Sequence, residues 1–166
     1  ADERALLERF GVGGKPMWVT ENGFSAIGTI QPHARSNKWE HDHKTALLQA
    51  EYVAKAQLRL QIAGVQRTFS FLFAPFNEGG SDGSGGKVMG ILRWDFAAKP
   101  SYAALATLID QFAEAEYLGE IQTPTGSSAY LYRAENGEQI LAFWSDDRKE
   151  HALRVSSRAP RAVLVD

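Results

Sequence analysis

The sequence predicts an α/β fold in which two strand-to-helix units precede a small antiparallel sheet. Two apolar runs, residues 16–21 and 67–73, are each followed by a stretch in which apolar residues recur at helical spacing. From Tyr117 onward the pattern changes to short runs of alternating apolar and polar residues, which is typical of antiparallel strands. We therefore expect one domain over residues 1–115 and a second, sandwich-like domain over residues 116–166.

The first unit follows a short amphipathic helix that ends at Gly11. Its strand, residues 16–21, delivers one carboxylate, Glu21, to the carboxyl end, where barrel enzymes usually place their chemistry. Because side chains alternate along a strand, Trp18 and Glu21 fall on opposite faces. We expect Trp18 to pack against covering helices and Glu21 to point inward.

A long helix completes the first unit, and we expect it over residues 42–63. Asp42 can cap its start, and Gly64 follows its end. One apolar stripe runs along it and consists of Leu47, Ala50, Ala54, Leu58 and Ile62.

The second unit combines the strand at residues 67–73 with a helix that begins at Pro100. The connection between them, residues 74–92, is rich in glycine and long for a compact domain. We therefore expect it to be a loop that serves a site.

The second domain carries a hairpin signal at residues 135–138, Glu-Asn-Gly-Glu. The alternating runs predict strands at residues 129–135, 139–145, 151–155 and 162–165. About 50 residues bury too little surface to be securely stable alone, so we expect this sheet to pack on the preceding domain.

Composition excludes several classes of protein. The chain has 166 residues and a net charge of −2, with no cluster of basic residues that would attract nucleic acid. No apolar stretch approaches the length of a membrane-spanning helix. The chain has no cysteine, which excludes disulfides, thiolate nucleophiles and cysteine-ligated zinc.

Two strand-to-helix units cannot close a parallel barrel, and an isolated two-stranded parallel sheet would leave its edges uncovered. A (β/α)₈ TIM barrel needs roughly 250 residues. The simplest interpretation is that the chain carries the last two units of such a barrel plus an appended antiparallel domain. The rest of the barrel would then lie upstream, in another chain or in a removed segment.

Residues 18–23 carry the most informative motif, Trp-Val-Thr-Glu-Asn-Gly. This motif resembles the seventh strand of clan A glycoside hydrolases, retaining TIM-barrel enzymes whose nucleophilic glutamate ends that strand in the context W-[VI]-T-E-x-G. Residues 99–105, Lys-Pro-Ser-Tyr-Ala-Ala-Leu, are similar to the opening of the last barrel helix in several such families. The order of the elements between the two motifs is similar too, and a terminal β-sandwich recurs in these enzymes.

The resemblance implies that Glu21 is a nucleophile that forms a covalent intermediate with a β-linked oligo- or polysaccharide. Retaining chemistry needs a second carboxyl group about 5 Å away. The resemblance locates that group after the fourth strand, which this chain does not contain. Glu78, in the pair Asn77-Glu78, follows the eighth strand instead, and we do not expect it to act as the acid.

Several expectations follow from this assignment. The chain alone should be inactive and should need the missing N-terminal part of the barrel as its partner. The reaction requires no metal and no organic cofactor. The usual location of polysaccharide substrates favours a secreted or periplasmic protein.

Sugar rings present apolar C–H faces that stack on aromatic rings, and four residues are candidates for binding the substrate. Phe73 and Trp94 flank the exit of the second strand, whereas Trp39 and His41 lie on the loop after the first. Loop packing is an alternative role for Trp94, and an ordinary helix start is an alternative for residues 39–43. His41 and the histidine two residues later would diverge, so no metal site is expected.

Two alternatives stay open for the main assignment. Glu21 could be an ordinary strand-end acid that caps a loop or pairs with an arginine. The chain could also be a non-catalytic carbohydrate-binding or structural remnant of a glycosidase. Residues 79–87 lack the spacing and the hydroxyl residue of a phosphate-binding loop, so we expect a lid beside the cleft or a plain surface loop there.

Overall fold

Helices and strands alternate along the first part of the computed structural model, which describes residues 3–24, 43–74, 89–93, 95–156 and 161–165. The elements are α1 (Glu3–Arg9), β1 (Trp18–Asn22), α2 (His43–Ile62), β2 (Arg67–Ser70), α3 (Pro100–Phe112), β3 (Glu116–Glu120), β4 (Ser127–Arg133) and β5 (Gln139–Ser145). The predicted mixture of helix and strand is confirmed. The chain divides into Ala1–Ala113, named here the strand–helix unit, and Glu114–Asp166, the antiparallel unit.

In the strand–helix unit, β1 and β2 form a two-stranded parallel sheet. α2 joins them, as parallel neighbours need a crossover connection. The paired residues are Trp18 with Arg67, Val19 with Thr68, and Asn22 with Ser70. The register shifts between Val19 and Asn22, so β1 contains one more residue than β2 over this interval, which is a β-bulge.

α2 and α3 pack against each other, and their ends follow local rules. Gly64, just beyond α2, has φ +78°, a left-handed conformation that favours glycine. α3 begins at Pro100, whose missing N–H would have had no partner in the first helical turn. α2 lies within one residue of its predicted bounds, and α3 begins at the predicted residue. Among the described residues no helix is long and apolar enough to cross a membrane.

The antiparallel unit is a three-stranded sheet in the order β3–β4–β5. β4 and β5 pair without interruption from Ser127 opposite Ser145 to Arg133 opposite Gln139. The predicted hairpin joins them, with Gly137 at φ +85° and a hydrogen bond from the Ala134 amide to the Glu138 carbonyl at 2.8 Å. The residues of this turn therefore determine the register between β4 and β5.

The structure corrects some predicted strands. β2 ends at Ser70 rather than at residue 73, and residues 151–155 and 162–165 form no strand. The side chains of Val163 and Leu164 are exposed, and alternation alone does not make a strand where no neighbour pairs with it. β3 was not predicted, because its sequence, Glu-Tyr-Leu-Gly-Glu, places two apolar residues next to each other and a glycine after them.

Candidate functional site

One face of the β1–β2 sheet is covered by α2. The side chain of Gln57, on α2, lies within hydrogen-bond distance of residues from both strands. The Thr68 hydroxyl donates to its Oε1 at 2.5 Å, and its Nε2 lies 3.3 Å from Ser70 Oγ and 3.5 Å from Asn22 Oδ1. Asn22, Thr68 and Ser70 therefore face the helix.

The opposite face of the sheet carries aromatic and basic side chains. The rings of Trp18 and Phe69 lie 6.3 Å apart, and the guanidinium of Arg67 lies 5.5 Å from the centroid of the Trp18 ring. Trp18 is 53% exposed and Phe69 is 50% exposed. Among the described residues α2 covers the other face, and we call this surface the helix-free face.

Glu21 points to the helix-free face because of the β-bulge. With regular alternation it would share a face with Val19, whose partner Thr68 faces α2. The extra residue puts Asn22 on the α2 side instead, so the adjacent Glu21 points away from the helix. Exposure agrees, since residues 18, 20 and 21 are exposed and residues 19 and 22 are half-buried. The Glu21 carboxylate is thus accessible near the carboxyl end of β1.

The prediction that Trp18 packs against covering helices is wrong. Its ring contacts Phe69 and Arg67 of β2, because α2 covers the other face of the sheet. Glu21 and Trp18 lie on the same face, whereas strict alternation separated them. The bulge accounts for this difference.

The backbone that follows Glu21 is held close to the end of β2. A Cβ atom on Gly23 would lie 2.0 Å from the carbonyl oxygen of Phe71, so only glycine fits there. The Phe71 amide donates to the Asn22 carbonyl at 2.7 Å. These contacts fix the path of the main chain on the carboxyl side of Glu21.

Three polar residues behind the sheet form a cluster that sequence reasoning missed. Gln49, Lys99 and Ser101 are each at most 2% exposed, and we call them the buried polar cluster. Gln49 Oε1 accepts from Ser101 Oγ at 3.0 Å, and Lys99 Nζ donates to the carbonyl of Gly90. Burial, with a smaller contribution from the nearby Arg93, lowers the pKa of Lys99 to about 8.

Phe73 lies away from the helix-free face. Its ring packs edge-on against Tyr102 of α3, with centroids 6.4 Å apart. It also lines a cavity of about 460 Å³ between α2, β2 and α3, whose lining includes Thr68 and Ser70 but not Glu21. The structure therefore does not bring Phe73 and Glu21 into one pocket.

The other predicted site residues, Trp39, His41 and Trp94, lie outside the described residues, as does the pair Asn77-Glu78. Within the described part of the chain, no group of three or more histidine or acidic side chains could hold a metal ion.

The fold is similar to that of a known enzyme. No family model matches the chain, and no curated protein matches it. A solved structure described as a family 39 glycoside hydrolase from the gut symbiont Bacteroides cellulosilyticus WH2 superposes with a TM-score of 0.60 at 21% sequence identity. The match covers 89% of this chain and 26% of that one, so the chain spans about a quarter of the length of the glycoside hydrolase. At this level of identity the likeness is one of fold.

Proposed function

We propose that this chain is the C-terminal part of a retaining glycoside hydrolase and that Glu21 is its nucleophile. In this proposal β1 and β2 are the last two strands of a TIM barrel, and the antiparallel unit is an appended sandwich-like domain. The observation that carries the proposal is the β-bulge, which turns the Glu21 carboxylate to the helix-free face near the carboxyl end of β1. In a barrel, that face lines the interior, and chemistry takes place at that end.

The pairing of β1 and β2 and the exposure of their aromatic rings support an incomplete barrel. Within the described residues, β1 and β2 each pair with one neighbour, although a barrel strand pairs with two. The rings of Trp18 and Phe69, which would fill a barrel interior, are half exposed. The similarity to a quarter of a glycoside hydrolase agrees with this interpretation.

The chemistry would be a double displacement on a β-linked oligo- or polysaccharide. A Glu21 oxygen attacks the anomeric carbon while an acid donates a proton to the leaving oxygen, and a glycosyl ester forms. The residue that acted as the acid is now ionised, and it removes a proton from the water that cleaves the ester. We propose that this second carboxyl group lies on a barrel segment outside this chain, so this chain alone would not turn over substrate.

The test uses the full-length protein and a 2-deoxy-2-fluoro glycoside, which accumulates the covalent intermediate. We expect mass spectrometry to find the modification on the peptide that contains Glu21. The Glu21→Gln variant should lose label and activity by roughly 10³-fold or more. Glu120→Gln, which changes an exposed strand carboxylate of the antiparallel unit, is the matched control and should keep both.

Label on another residue would remove the nucleophile role from Glu21. Binding of oligosaccharides without any label or turnover would instead support the non-catalytic carbohydrate-binding alternative.

A further inference from the structure

The amide side chain of Gln49 joins segments that are distant in sequence. Gln49 lies on α2 and is 1% exposed. Its Nε2 lies 3.0 Å from the carbonyl oxygen of Phe24, 3.1 Å from that of Met89 and 3.5 Å from that of Gly90. Phe24 follows β1, whereas Met89 and Gly90 belong to the chain that returns after β2. One buried amide therefore contacts the connections that follow both strands.

The chemistry of this position requires a donor. Carbonyl oxygens only accept hydrogen bonds, and a buried carbonyl without a donor costs about 1–3 kcal/mol. The orientation of the amide is set from its other end, where Oε1 accepts from Ser101 Oγ on α3. A side chain of the same size without an N–H group would fill the space but would leave the carbonyls without this donor.

α2 also holds two residues that follow Glu21. The ring of Phe24 stacks on Tyr52, one helical turn after Gln49, with centroids 4.7 Å apart. Farther along the helix, Gln57 contacts the side chain of Asn22. Residues 22 and 24 are thus fixed from the α2 side, while Glu21 points to the opposite face.

We propose that Gln49 is a positioning residue for the nucleophile. By holding the Phe24 carbonyl and the residue 89–90 segment together, it fixes the path of the chain after the bulge and with it the direction of the Glu21 carboxylate. The inference rests on the proposed function, because it gives Gln49 a task in the reaction of Glu21. Displacement of a reacting group by about 1 Å can cost roughly 100-fold in rate.

The first test is Gln49→Met in the full-length protein, which keeps the volume and removes the N–H donors. We expect the rate constant of labelling at Glu21 to fall about 10-fold or more. The concentration of fluoro glycoside that gives half the maximal rate should change less than about 3-fold, since Gln49 does not touch the substrate. Gln111→Met is the matched control, because Gln111 is an exposed glutamine of α3, and it should label at the wild-type rate.

A second variant, Gln49→Glu, adds a pH profile that simple loss of packing would not produce. The new carboxyl group can donate one hydrogen bond to the carbonyls while it is protonated and none once it is ionised. The labelling rate should therefore decline with rising pH more steeply than in the wild type. Gln111→Glu should follow the wild-type profile.

The outcomes separate the two proposals. If wild-type protein is labelled at Glu21 and the folded Gln49 variants react at the wild-type rate with an unchanged pH profile, the positioning role is wrong. If wild-type protein carries no label at Glu21, the proposed function itself fails. If Gln49→Met does not fold, the Ser101→Ala variant is measured instead, because it removes the hydrogen bond that orients the Gln49 amide. Slower labelling of this variant supports the positioning role, and labelling at the wild-type rate overturns it.

Discussion

The two units of the molecule bury different kinds of large side chain. The strand–helix unit buries the polar side chains of Gln49, Lys99 and Ser101, whereas its rings at Trp18 and Phe69 are half exposed. In the antiparallel unit Tyr132 has no exposed surface, and its ring lies 5.4 Å from that of Tyr117. Charged side chains of that sheet, such as the ion pair of Arg133 with Glu116, lie in solvent.

This difference shows which unit obeys the ordinary rule of burial. Globular proteins bury large apolar side chains and expose charged ones, as the antiparallel unit does with Tyr132, Arg133 and Glu116. Exposed rings on a two-stranded parallel sheet are expected where further structure covers the surface or where a ligand binds. Polar groups behind the sheet are tolerated because main-chain carbonyls and side chains satisfy them. The strand–helix unit thus exposes rings on one face of its sheet and buries polar side chains that are hydrogen-bonded.

The largest expected effect tests the aromatic core of the antiparallel unit. Tyr132→Ala should lower the free energy of unfolding by about 3–5 kcal/mol, because it leaves a cavity at a fully buried position. Phe143→Ala on the neighbouring strand should cost only about 0.5 kcal/mol, since Phe143 is 51% exposed. Urea unfolding measures both. Equal costs would contradict the assignment of the buried core to Tyr132.

The next effect tests the buried ammonium of the strand–helix unit. The pKa of Lys99 is about 8 in the folded protein and 10.5 as its ordinary value, so folding disfavours the charged form. The free-energy cost of burying the charged ammonium is complete below pH 8 and disappears as the pH rises toward 10.5. Relative to Lys99→Met, the wild-type free energy of unfolding should therefore rise by about 3 kcal/mol across this range. Urea titrations at several pH values check this, and parallel pH profiles would contradict burial of the charge.

A smaller effect tests the close approach of the two parallel strands. Gly23→Ala should destabilise the protein by about 2 kcal/mol, because the new methyl group would overlap the Phe71 carbonyl. Gly14→Ala, where a Cβ atom meets nothing within 4 Å, should change stability by no more than about 0.5 kcal/mol. Thermal unfolding compares them. Tolerance of alanine at position 23 would mean that the strand ends lie farther apart.

The smallest effect concerns a polar turn after β5. Asp147 Oδ1 lies 2.7 Å from His151 Nε2 and accepts from the Lys149 amide at 3.0 Å. These hydrogen bonds, that of His151 first, hold the pKa of Asp147 below its ordinary value. The stabilisation is present above the ordinary pKa and is lost as pH falls through the lowered one.

His151→Ala should move the pKa of Asp147 upward, which carboxyl NMR titration can follow. Arg154→Ala removes an exposed basic side chain three residues after His151 and is the matched control, so it should leave this pKa nearly unchanged. A pKa that stays low in His151→Ala would show that the imidazole does not contribute.

Sequence patterns predicted the elements whose causes are local. Both bounds of α2 and the start of α3 were predicted within one residue, because apolar periodicity and end residues define a helix locally. The hairpin was predicted from Asn136-Gly137, and Gly137 supplies the positive φ that the turn needs. The face of the sheet on which Trp18 lies was not predicted. A bulge is a property of two paired strands, and the alternation of apolar residues in one strand does not reveal it.

By itself the sequence determined the long helix α2, the hairpin between β4 and β5, the separation into two kinds of sheet, and the presence of one acid after an apolar strand. Each depends on spacing within a few residues. Only the tertiary structure decided that Glu21 points to the helix-free face and that Gln49 is buried. The first needs the register between β1 and β2, and the second needs carbonyl groups from residues 24, 89 and 90, which folding alone brings to one side chain.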